Sequence, residues 1–145
     1  MTPTITGSGA SVSGLKVDSR RRWVATPVWV LPGDIMTFEA SGVWGDFTIP
    51  CSADGWHADL FYAIGKLPRI IDDKRYFRLM GRISESGDEP ATDEPERTFV
   101  IGRARSVTAD WPGRLYVFAN DRAGFYWNNW GHVLLNIALT RQTDT

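Results

Sequence analysis

Near the end of the chain, Val133, Leu135, Ile137 and Leu139 occupy alternate positions. A two-residue apolar period places one face of an extended strand in a core and its other face outside. The same period sets Met36, Phe38 and Ala40 against Thr37, Glu39 and Ser41, and it puts Leu115, Val117 and Ala119 on one face. Between such runs stand turn signals, Pro32-Gly33-Asp34 and Pro112-Gly113 among them, where proline presets φ and glycine accepts turn conformations. No segment carries a convincing helical period, apart from room for a short helical turn within 66–75, and no internal repeat is visible. Many short strands separated by turn residues indicate an all-β chain closed as a sandwich or barrel. Strands are expected within 23–30, 35–44, 60–64, 76–83, 98–102, 105–109, 115–119 and 133–139. Residues 45–57 read as a loop and 84–97, SESGDEPATDEPER, as an acidic, solvated connector. Residues 1–14, rich in Thr, Ser and Gly, read as a flexible arm, 15–141 as one domain and 142–145 as a tail.

Charge and cysteine content exclude several function classes. Sixteen basic residues face seventeen acidic ones, which argues against a nucleic-acid partner, since such binders carry a basic excess. The only basic run, Arg20-Arg21-Arg22, reads as a solvated edge. Cys51 is the single cysteine and His57 and His132 are the only histidines, so neither an intrachain disulfide nor a Cys- or His-rich zinc site can be built. No apolar run approaches the ~20 residues that span a bilayer, so membrane insertion is not expected. Met1 to Leu15 lacks the basic and apolar regions of a secretory signal, and the expectation is a cytoplasmic protein or one exported by another route.

The segment Asn120 to Gly131 carries the chemistry. Hairpin connections usually close in about two to five residues, and this one is longer and rich in side-chain oxygens. Asp121, Asn128 and Asn129 offer hard oxygen donors, and Gly124 lets the backbone turn a carbonyl inward. Calcium takes about six to eight oxygens from carboxylates, amides, carbonyls and water. With one carboxylate in the loop, coordination positions would be left for outside oxygens such as vicinal sugar hydroxyls. The competing reading is that these Asn and Asp residues only cap turns.

The stretch GRLYVFANDRAGFYWNNWGHVLLNI, Gly113 to Ile137, resembles the C-terminal part of the PA-IL type of calcium-dependent, galactose-binding bacterial lectins. Trp23 to Trp44 resembles their N-terminal strand pair, and Phe77 to Ile83 and Thr98 to Gly102 resemble their middle strands. The resemblance runs in order over roughly residues 15–140. It implies a jelly-roll-like, galactose-binding-like β-sandwich with calcium at one end. Asp121, Asn128 and Asn129 would be side-chain ligands, and Phe125 and Asp46 would contribute backbone carbonyls. Asp121 and Asn128 would also contact a galactoside, with Phe125 at the same site. His57 falls in the region of a second sugar contact, near Asp54, Trp56 and Asp59. Trp127 and Trp130 depart from the family pattern, which has small residues there, and would either stack on a sugar or fill the cleft. The resemblance also implies a homo-oligomer.

Three function classes follow. The first is a carbohydrate-binding lectin that uses calcium to bridge protein and galactoside. The second is a non-catalytic interaction or structural module whose loop calcium only rigidifies. The third, a glycosidase, needs two carboxylates held across a cleft, and no such constellation stands out. The chain reads as a binding protein and not an enzyme.

Overall fold

The computed structural model describes residues 10–57, 75–121 and 126–141. In chain order its strands are β1 (Ala10–Asp18), β2 (Val24–Val30), β3 (Ile35–Ser41), β4 (Trp44–Asp46), β5 (Ile49–Cys51), β6 (Trp56–His57), β7 (Arg75–Tyr76), β8 (Leu79–Ser84), β9 (Thr98–Val100), β10 (Ala104–Thr108), β11 (Gly113–Ala119) and β12 (Asn129–Thr140). Single 3-10 turns lie at Pro95–Arg97 and Tyr126–Asn128. One sheet runs β10-β3-β12-β4-β5, with β1 pairing along β12. A second runs β2-β11-β8-β9, and β6 and β7 form a small ribbon of their own. All pairings are antiparallel. The two large sheets make the β-sandwich that the alternating pattern predicts.

The alternation decides which face goes inside. Met36, Phe38 and Ala40 are buried while Thr37, Glu39 and Ser41 are exposed. Val133, Leu135, Ile137 and Leu139 are likewise buried on β12. The opposing layer brings Val24, Val28, Val30, Leu79, Ile83, Leu115 and Val117 into the same core. Each fully buried aliphatic side chain contributes about 1.5–3 kcal/mol of transfer free energy, so this shared interior is what joins the sheets.

Three sequence expectations change. The span 10–14 is strand and not a flexible arm: Ala10, Ser11 and Val12 pair with Leu139, Ala138 and Ile137 across β12. A bulge between Val12 and Leu15 accommodates Gly14 in a left-handed conformation, which is why the Gly-rich composition looked unstructured. Within 45–57, β4, β5 and β6 add short strands, because β4 extends the β12 ladder beyond the end of β3. Residues 84–97 are no mere solvated connector. They fold back over the outer face of the second sheet, where the Tyr116 hydroxyl donates to the Gly87 carbonyl (2.8 Å) and Arg82 donates to the Thr92 carbonyl (2.9 Å). That cover explains why Tyr116 is buried although it points away from the core, and Phe118, on the same face, is covered by Trp23, its ring centroid 4.9 Å away. Arg22 is part of the same arrangement. Its guanidinium lies 3.7 Å from the Trp23 ring centroid and 4.5 Å from that of Phe118, and it is paired with Asp93, so it is not a solvated edge. The expectations for strand 60–64 and for a helical turn fall largely outside the described residues.

One ion pair ties the end of β12 to the turn between β2 and β3. Asp34 is buried and accepts from Arg141 at 2.8 and 3.0 Å and from the Leu31 amide at 2.9 Å. The Arg141 hydrogen bond holds its carboxyl below the ordinary value of 3.8, against the opposing effect of burial. A depressed folded-state pKa contributes stability that is complete above the unfolded value and is lost as pH falls through the folded one. Acid unfolding of Asp34→Asn is therefore expected to show a flatter loss of stability below pH 3.8 than the parent, and identical slopes would contradict this.

Candidate functional site

The loop from Asn120 to Asn129 leaves β11 in the second sheet and enters β12 in the first. It is an inter-sheet crossing at one end of the sandwich and not a hairpin, which accounts for its length. Its start is anchored by backbone bonds: the Phe77 amide donates to the Asn120 carbonyl (2.8 Å) and the Asn120 amide donates to the Arg78 carbonyl (2.9 Å). Its far side is anchored by Tyr126, a buried residue whose hydroxyl donates to the Ala119 carbonyl at 2.6 Å. Burial pushes that phenol well above its ordinary range, so it stays a neutral donor.

Between these anchors the structure sets Asn129 opposite Asp46 and Asp121 close enough to act on the Asp46 carboxyl, with Asn128 adjoining Asn129 in the chain. Asp121 and Asn129 are each only 4% exposed. Asn129 stands directly opposite Asp46 in the β12–β4 ladder. Paired residues project to one side of a sheet, so their side chains share a face. The Asn129 amide is oriented by Ser19, whose carbonyl accepts from Nδ2 at 2.8 Å. A carbonyl can only accept, so the amide nitrogen belongs there and Oδ1 faces the cluster. Ser19 is itself locked, fully buried, with its hydroxyl donating to the Trp130 and Gly131 carbonyls, both at 2.9 Å.

The Oδ1 atoms of Asn128 and Asn129 are buried and have no hydrogen-bond partner among the described residues. A buried acceptor left unsatisfied costs about 1–3 kcal/mol. One of these acceptors is on Asn129, opposite Asp46, and the other is on the preceding residue. The Asp46 carboxyl is pushed up to about 6, first by burial and then by the charge of Asp121, with Trp56 acting in the opposite direction. Among the described residues, the influences on Asp46 include no cationic side chain. Two acidic side chains close enough to repel, with the unpartnered Asn129 oxygen opposite one of them, form an arrangement that a hard dication would complete. The donor set therefore fits calcium, with Asp121, Asn128, Asn129 and Asp46 as the residues that would hold it. Phe125 lies outside the described residues. No group of three His, Cys, Asp or Glu side chains suited to a metal occurs among the described residues, and half of this donor set is amide.

The surrounding aromatic residues divide. Trp127, next to Asn128, is 69% exposed. Trp130 follows Asn129 by one residue and so stands on the opposite face of the ladder. It lies over Gly45, where an added Cβ would fall 1.9 Å from the indole, and its N–H donates to the Phe47 carbonyl at 2.7 Å. That placement separates it from the oxygen cluster, contrary to the expectation that both tryptophans flank one site. The backbone of His57 pairs with Arg75 in β6–β7, and its side chain is outside the described residues. Its neighbour Trp56 stacks on Tyr76 at 5.0 Å between centroids, and its influence on Asp46 brings the β6–β7 ribbon to this end of the sandwich. Ser19 had no distinguishing local signal, since only the ladder carries it to the loop, while Trp56 stands in the region that the resemblance marks for a second sugar contact.

A hollow of about 910 Å³ lies elsewhere, on the outer face of β3 and β10. Several of its polar groups already bond one another or nearby backbone: Thr37 to Ser106, and the Arg103 amide to Asp54.

No protein-family model matches the sequence, and no curated protein matches it. Among solved structures, the N-terminal domain of EclA, a PllA-like lectin, aligns with a TM-score of 0.63 at 18% identity, covering 89% of this chain and 97% of that one. The likeness agrees with the fold that the PA-IL resemblance implies. The chain thus has the β-sandwich fold of a PllA-like lectin domain.

Proposed function

We propose that this protein is a lectin that binds carbohydrate through a calcium ion, with galactosides as the ligand class. The observation that carries the reading is the pair of buried, unpartnered amide oxygens on the consecutive residues Asn128 and Asn129, the second of them opposite Asp46, whose carboxyl feels the charge of Asp121. Calcium, when bound, would supply a charge-dense centre at which vicinal sugar hydroxyls complete the oxygen shell. The chain's own residues do the rest. Asp121 supplies negative charge and a strong acceptor for a sugar hydroxyl. Ser19 fixes Asn129, and the Phe77 and Arg78 backbone bonds fix the start of the loop. This preorganisation lowers the ordering cost of binding. Exposed Trp127 offers an apolar surface beside Asn128 for the C–H face of a sugar. The PllA-like lectin neighbour supports the reading through its fold. We further propose binding without catalysis, and assembly into a homo-oligomer that raises weak single-site affinity through avidity.

Thermal unfolding of metal-stripped protein tests the reading directly. A ligand at about 100 times its Kd, binding only the folded state, stabilises by about 2.7 kcal/mol. The midpoint is expected to rise with calcium and again with added galactose. A rise with calcium alone would instead favour a structural ion in a non-catalytic interaction module. Absence of any response to calcium would withdraw the reading.

A further inference from the structure

We propose that the side-chain carboxylate of Asp46 is itself a donor to the cation, a second negative charge beside Asp121, so that Asp46 does more than lend a backbone carbonyl. This rests on the calcium reading above. The register places Asp46 opposite Asn129 and Trp44 opposite Gly131. Asp46 and Trp44 are two residues apart and share a face, and Trp44 is fully buried in the core. The Asp46 side chain is thereby directed to the inner side of the sheet, where the unpartnered Oδ1 of Asn129, on a residue 4% exposed, already lies. The chain leaves that position abruptly. Phe47 adopts a left-handed conformation with φ of 55°, a strained state for a residue with a side chain. The Trp130 indole holds it there from the outer face through the Phe47 carbonyl. Ladder, turn and indole together pin Asp46 against the cluster. Two carboxylates match the charge of a dication, whereas the loop alone supplies one. The count of charged ligands is a main determinant of calcium affinity.

Asp46→Asn keeps the shape and removes the charge. Calcium chloride is titrated calorimetrically into the metal-stripped parent and variant, and thermal midpoints are measured in chelator. The variant is expected to bind calcium about tenfold or more weaker, while its midpoint in chelator rises because two like charges no longer face each other. Asp46→Ala should move both readouts in the same directions. Calcium binding by the parent with unchanged affinity in both variants would overturn the inference and leave the lectin reading standing. No calcium binding by the parent would overturn both. Loss of folding of Asp46→Asn in chelator would also overturn it, since the substitution removes a charge that Asp121 repels and keeps an oxygen that can still accept a hydrogen bond.

Discussion

Asp121→Ala and Asn128→Ala are each expected to abolish calcium-dependent sugar binding without unfolding the protein. Outer-shell partners of a metal typically change its affinity by about 10–100-fold, and a direct carboxylate or amide donor should cost more, so a loss above about 100-fold is expected for either variant. The signature that separates a site residue from a structural one lies in the metal-free state. Asn128 Oδ1 is buried and unpartnered, so deleting it removes a desolvation penalty and breaks no described bond at that atom. Asp121 raises the Asp46 carboxyl through its charge, so deleting it relieves repulsion. Midpoints in chelator should therefore stay level or rise, while the increment produced by calcium disappears. Calorimetry with calcium, then with calcium and methyl galactoside, checks the first half, and thermal melts in chelator check the second. A variant that still binds sugar with parental affinity would remove its residue from the site.

Gly113→Ala is expected to destabilise the fold by about 3 kcal/mol, the sum of backbone strain and overpacking. Gly113 opens β11 with φ of 145°, and a Cβ there would fall 2.2 Å from the Ser84 carbonyl oxygen and 2.9 Å from the Glu85 Cα. Those are backbone atoms of the partner strand and its turn. They cannot rotate aside as a side chain would, because Arg114 is already paired with Ser84 and Gly113 with Val30. For a domain of this size the loss corresponds to a fall of about 10 °C in midpoint. Gly14→Ala is the matched control. Its φ is 65°, but nothing lies within 4 Å of the added Cβ, so it should cost only the strain, about 1 kcal/mol. Equal effects at the two positions would show that the close approach at Gly113 contributes nothing.

The strands that form the core were legible because their period is local. Alternate residues of 36–40 and 133–139 point to opposite sides whatever their partners are. The outward-facing Tyr116 was not legible as buried, because its cover comes from 84–97, a segment whose acidic composition predicts solvent, and Phe118 was not because Trp23 and Arg22 reach it from a distant part of the chain. The turn chemistry of Pro112-Gly113 was visible, but the contact that makes Gly113 irreplaceable belongs to Ser84, nearly thirty residues earlier.

The candidate site divides in the same way. The sequence by itself determined the donor types of the 120–131 loop, since the oxygens of Asp121, Asn128 and Asn129 are chemical properties of those residues and their spacing keeps them in one connection. It also determined the alternating apolar faces, which follow from strand geometry alone. Only the tertiary structure decided that the loop crosses between sheets, that Asp46 stands opposite Asn129, that Ser19 orients the Asn129 amide, and that Trp130 lies on the far face of the ladder. Each of those facts depends on strand register between distant segments. Register is fixed by which apolar faces pack into the common core, a choice made by the whole molecule and written in no single segment.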